Sequence, residues 1–122
     1  MALNRPSAAE LLAALREFLD KDVASQVSGA TQFHLRVAAN VLAIVERELA
    51  QKAPADAAET ARLRTLLGDD DNSDADLATL NRLLVERIRS GAFDRPPEQR
   101  LLLAHLRATT SDKLAIDNPK YA

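Results

Sequence analysis

Apolar residues recur three and four apart along most of this chain, and that spacing restricts it to helices. Leu11, Leu12, Leu15, Phe18 and Leu19 form one such face. Phe33, Val37, Val41, Ile44, Val45 and Leu49 form a second, Leu63, Leu66 and Leu67 a third. Leu77, Leu80, Leu83, Leu84 and Ile88 form a fourth, and Leu102, Leu106 and Ile116 recur on a fifth. Ala and Leu together number 43 of 122 residues, a strong helix-forming bias. Three glycines and few β-branched residues argue against strands.

Breakers divide these faces into five helices. Ser7 and Glu10 fit a capping box that opens the first, and Val23 and Val27 carry its spacing on until Ser28-Gly29. The second is expected from about Thr31 to Gln51, closed by Pro54. The third starts near Asp56 and ends at Gly68, a good C-terminal cap. An acidic connector follows, with Ser73 or Asp74 capping the fourth helix and Ser90-Gly91 ending it. Phe93 is expected to tuck under the next connection. Pro96-Pro97 opens the fifth helix and Asn118-Pro119 stops it near Asp117. The expected fold is all-α: a single-domain bundle over residues 1–122, of about five helices, mostly antiparallel.

Composition excludes several functions. There is no cysteine, so disulfides, thiolate metal sites and cysteine nucleophiles are ruled out. A net charge of −2 argues against nucleic acid as partner. No apolar run approaches the roughly 18 residues of a spanning helix, so no membrane partner is expected. The N-terminus lacks a basic stretch followed by an apolar one, and a cytoplasmic location follows as the default. The histidines, His34 and His105, show no metal-ligand spacing, and the acidic connector fails the EF-hand pattern in either register. No phosphate-binding glycine loop occurs. No catalytic residue, metal or cofactor is assigned.

Two polar-studded segments remain as candidates. In the second helix, Arg36 and Asn40 lie four apart beside the Phe33-Val37-Val41 stripe, with His34 on its other flank. An asparagine near a core needs partners for both ends of its amide. The expectation is therefore a satisfied network, with Asp112 or Asp117 as acceptors. The competing expectation is a ligand-facing pocket in which Arg36 holds an anionic head group. The C-terminal segment offers His105, Asp112, Lys113, Asp117, Asn118 and Tyr121. Tyr121, the only tyrosine, follows the helix stop and is expected to dock its ring on the bundle.

Several pieces in order resemble an uncharacterised family of small bacterial helical domains. They are Arg5-Pro6-Ser7-Ala8-Ala9-Glu10-Leu11-Leu12, then Phe33-His34-Leu35-Arg36-Val37-Ala38-Ala39-Asn40-Val41-Leu42, then Glu46-Arg47-Glu48-Leu49. Arg87-Ile88-Arg89-Ser90-Gly91, His105-Leu106-Arg107-Ala108-Thr109 and the stretch from Asp112 to Tyr121 complete them. The resemblance implies kinship with proteins encoded beside, or fused to, aminoglycoside-phosphotransferase-like kinases and acyl-CoA dehydrogenases. It implies an accessory role in acyl-CoA or related catabolism and assigns no catalytic residues. The resulting expectation is a non-catalytic interaction domain whose partner is phosphotransferase-like or acyl-CoA dehydrogenase-like. A small-molecule or acyl-group binding domain, with weak enzymatic activity as an option, is the alternative. Self-association as a homo-oligomer is a third reading.

Overall fold

The computed structural model describes residues 5–68 and 74–121. Every regular element among them is helical: α1 (Ala8–Phe18), α2 (Gly29–Leu67), α3 (Leu77–Arg89) and α4 (Glu98–Asp117). Short π and 3-10 turns over Leu19–Val23 and Ala24–Gln26 follow α1, and a 3-10 turn over Pro119–Tyr121 follows α4. The fold is all-α, with four α-helices where the breakers suggested about five. The chain divides into two compact units, Met1–Lys52 and Ala53–Ala122.

The lost boundary is at Pro54, which lies inside α2. A proline there removes one backbone N–H and crowds the carbonyl four residues earlier. Pro54 and Ala50 are both exposed, so water can serve the freed carbonyl. Alanines at positions 50, 53, 55, 57 and 58 supply the helix preference that carries the chain through. The expected third helix is therefore the second half of α2.

In the first unit, the capping box is formed as read. Glu10 N–H donates to Ser7 Oγ at 3.1 Å, and Ser7 N–H donates to Glu10 Oε1 at 3.3 Å. Arg5 adds an exposed ion pair to Glu10. The chain then turns back, so that Arg16 reaches Glu46 with Nε 3.0 Å and Nη2 2.9 Å from the same carboxylate oxygen. Ala39 is the only apolar residue of this unit that is buried among those described. Leu12, Leu19, Val23, Leu35 and Leu42 are half-buried. Much of the stripe that spacing assigned to the core points outward, with Phe33 at 62% exposure and Val41 at 50%, while Ile44 and Val45 are half-buried. An apolar face shows that a residue can be covered, and the fold decides which face is covered.

The second unit holds the core. Leu63, Leu67, Leu80, Leu84, Phe93 and Leu102 form one buried cluster, with Leu66, Ala75, Leu77 and Leu83 against it. Phe93 sits under the α3–α4 connection as expected. Gly68 follows α2 at φ +60, a left-handed conformation suited to glycine. Arg87 of α3 donates to the carbonyl of Leu67 there, serving a last-turn oxygen that has no helical partner. Asp76 caps α3, accepting from Thr79 N–H at 2.8 Å. The expected caps, Ser73 and Asp74, are thus replaced by a residue two positions past the nearer of them. Most of the acidic connector, residues 69–73, lies outside the described residues, as do residues 1–4.

Candidate functional site

The polar groups that meet in the second unit come from three helices. On α4, His105, Thr109 and Asp112 are four and three residues apart and share a face. On α2, Glu59 and Arg62 stand one turn apart beside Leu63, and on α3 Asn81 follows Leu80. Leu63 and Leu80 are fully buried, so their polar neighbours are drawn to the rim of the core.

Arg62 is the centre of this seam. Its Nη2 donates to Thr109 Oγ1 at 3.1 Å and stands 3.9 Å from Asp112 Oδ2. Asn81 Nδ2 donates to Glu59 Oε2 at 3.2 Å, and Glu59 is buried. His105 is only 4% exposed. Burial pushes its imidazole below the ordinary histidine value, the Arg62 charge adds to that shift, and Glu59 opposes it. The balance favours the neutral ring of His105. Two buried atoms, Arg62 Nε and His105 Nδ1, have no hydrogen-bond partner among the described residues.

An open groove of about 400 Å³ runs beside this seam, lined by Ala61, Arg62, Thr65, Leu66, Leu101, Ala104 and His105. A second, of about 320 Å³, runs along α4, where Tyr121 faces Leu103, Leu106, Arg107, Thr110, Ser111 and Leu114.

The candidates read from sequence separate accordingly. His105 and Asp112 are brought together around Arg62. Lys113, Asp117 and Asn118 are exposed. The tail is ordered as a turn, with Tyr121 N–H donating to Asn118 O at 3.0 Å, but Tyr121 is 74% exposed. Its ring edges a groove and does not cap the core.

His34, Arg36 and Asn40 belong to the first unit and are exposed. His34 makes an edge contact with Phe33, ring centres 5.6 Å apart. Arg36 and Asn40 make no hydrogen bond or ion pair among the described residues. The expected Asn40 network is absent because its helix turns that face to water. Asn40→Leu is accordingly expected to shift stability by no more than about 0.5 kcal/mol, the range of ordinary surface changes. Urea denaturation of the two proteins checks this.

Sequence reading missed Glu59, Arg62, Asn81 and Thr109. The available signal was the one used for Asn40, a polar residue bordering an apolar stripe. It did not say which stripe would be buried. Among the described residues no three His, Asp or Glu side chains gather as a metal site would require, and no helix is long and apolar enough to cross a membrane.

A family model described as Domain of unknown function (DUF6285) matches residues 25–121. No curated protein and no solved structure matches the chain.

Proposed function

The chain belongs to this family of unknown function, and on that premise we propose that it is a non-catalytic accessory domain that works by binding another protein. One observation carries this reading. Among its described residues the first unit buries one apolar residue, Ala39, and leaves Leu11, Leu15, Phe18, Phe33, Val37, Val41 and Leu49 between 47% and 62% exposed. Apolar side chains exposed at this density mark contact surfaces. The partner class we favour is a phosphotransferase-like kinase or an acyl-CoA dehydrogenase-like enzyme, in bacterial acyl-CoA metabolism. That choice rests on the resemblance described above. The cytoplasm is the compartment that suits such partners.

The stripe on α1 is the surface we assign to that partner. Leu11, Leu15 and Phe18 stand one turn apart on one face. Leu15→Asp is expected to weaken binding to the purified kinase-like or dehydrogenase-like partner at least tenfold. Titration calorimetry measures the affinity, and the far-UV spectrum checks that helix content is kept. Parental affinity in the folded variant removes α1 from the interface.

A second reading is favoured by the seam around Arg62. The adjoining groove falls within the volume range of small-ligand sites, and the two residues that carry unpartnered buried atoms, Arg62 and His105, line it. A small carboxylate or acyl ligand would use Arg62, and not Arg36, as its cation. Titration with a short-chain acyl-CoA tests it: shifts in the amide resonances of Thr65, Leu66 and Leu101 support the reading, and an unchanged spectrum rejects it.

A further inference from the structure

We propose that the chain forms a homodimer in which α2 packs against α2 of a second copy, crossing at Val41. This rests on the reading above that the exposed apolar faces are contact surfaces, and it assigns one of those faces to the chain itself.

The argument begins with register. The apolar row on α2 is ordered symmetrically about Val41, and it is exposed at every position except the half-buried Val45. Val37 and Val45 stand four residues before and after it, and Phe33 and Leu49 stand eight before and after. An interface between identical copies must be self-complementary, because the same patch serves both sides of a two-fold axis. An antiparallel crossing at Val41 satisfies this. It sets Val41 against its own copy and Val37 against Val45, with Phe33 and Leu49 at the outer edges.

The flanking polar groups obey the same symmetry. His34 and Glu48 stand seven residues before and after Val41. Seven residues is close to two helical turns, so both lie within about 20° of Val41 around the helix. The antiparallel crossing brings His34 of each copy to Glu48 of the other, a ring N–H donor to a carboxylate acceptor. Within one copy, neither side chain has a hydrogen bond or ion pair among the described residues. A parallel arrangement would instead set Glu48 against Glu48.

The size also fits. Phe33, Val37, Val41 and Leu49 are 62%, 47%, 50% and 52% exposed. Four half-exposed side chains of this kind offer on the order of 400 Å² per copy. A stable interface buries about 800 Å² on each side, somewhat more than half of it apolar. The row supplies that apolar share, His34 and Glu48 pair across its ends, and Arg36 and Asn40 supply a polar border.

The chain has no cysteine, which gives a direct test. Val41→Cys places a single thiol on the two-fold axis, where it meets its own copy. Mild oxidation should convert most of this variant to a covalent dimer. Val85→Cys, at an exposed position on α3, should remain largely uncrosslinked. Light scattering of the parent at tens of micromolar should give a mass near twice 13.3 kDa. Val41→Glu should give the monomer mass with unchanged helix content. His34→Glu should weaken the dimer by about tenfold or more, and adding Glu48→Lys should restore it.

A monomeric parent overturns the proposal, as does a dimer indifferent to Val41→Glu or equal crosslinking of the two cysteine variants. A monomer that still binds the kinase-like or dehydrogenase-like enzyme sinks the dimer alone. A dimer that binds neither enzyme keeps this inference and sinks the assignment of that partner.

Discussion

Leu63→Ala is expected to lower stability by about 2–5 kcal/mol, the largest effect of any single substitution considered for this chain. Leu63 has no exposed surface and stands at the meeting of Leu67, Leu80, Leu84, Phe93 and Leu102. Removing its branched end loses the transfer free energy of those carbons and leaves a cavity that three helices cannot close. With a mid-range urea slope of about 2 kcal/mol per molar, the midpoint should fall by roughly 1–2.5 M. Leu80→Ala should behave alike, since Leu80 is also fully buried in the same cluster. The double variant should depart from additivity, because the two side chains share one core. Val85→Ala, half-exposed on α3, serves as the control and should change stability by at most about 0.5 kcal/mol. A Leu63→Ala midpoint within error of the parent would show that this cluster is not the core of the second unit.

The second large effect concerns pH. His105 is buried beside Arg62, and both burial and that charge hold its imidazole below the ordinary value. In the unfolded chain the ring takes up a proton near pH 6.5, while in the fold it takes one up only at lower pH. Below that pH the unfolded state binds more protons, so unfolding is favoured as pH falls. The stabilising contribution is complete above the unfolded value and is lost as pH drops toward the folded one. The slope from this one group is bounded by about 1.4 kcal/mol per pH unit, the value for one full proton. Equilibrium denaturation between pH 7.5 and 5 (values chosen to bracket the free histidine pKa) measures it. His105→Leu should flatten this part of the profile, whatever it does to stability at pH 7.5. A variant whose profile stays parallel to the parent's would assign the pH dependence to other groups.

The His105 seam also shows where reading the sequence stops. Its spacing placed His105 and Asp112 on one face of one helix and Thr109 with the apolar residues of another face. Nothing in that spacing named Arg62 or Glu59 as the groups they would meet, because those lie 43 and 46 residues before His105 on another helix. The chain's local chemistry supplied candidates, and packing chose among them.

Local chemistry alone determined several features. Ser7 with Glu10 fixed the start of α1, since both partners of the capping box lie within one turn. Gly68 and Asn118 marked helix ends, because a left-handed residue and a pre-proline residue carry their own backbone preferences. Phe93, an aromatic ring in a short connection, was expected beneath it and is buried there. The all-α class followed from the three-and-four spacing and the Ala and Leu content.

Tertiary structure decided the rest. Pro54 reads as a stop in any local account, yet the helix continues where solvent can satisfy the freed carbonyl and alanines surround it. Asp76 caps α3 in place of Ser73 or Asp74, because the helix begins where Leu77 and Leu80 can reach the core. The faces of α2 are the clearest case. Before Pro54, α2 carries apolar residues both toward and away from its half-buried side, and periodicity weighs the two alike. Leu35, Ala39 and Leu42 are covered and Phe33, Val37 and Val41 are not. Hydrophobicity states that a face is costly to expose. Which neighbour covers it is a property of three-dimensional arrangement, and no single stretch of sequence contains it.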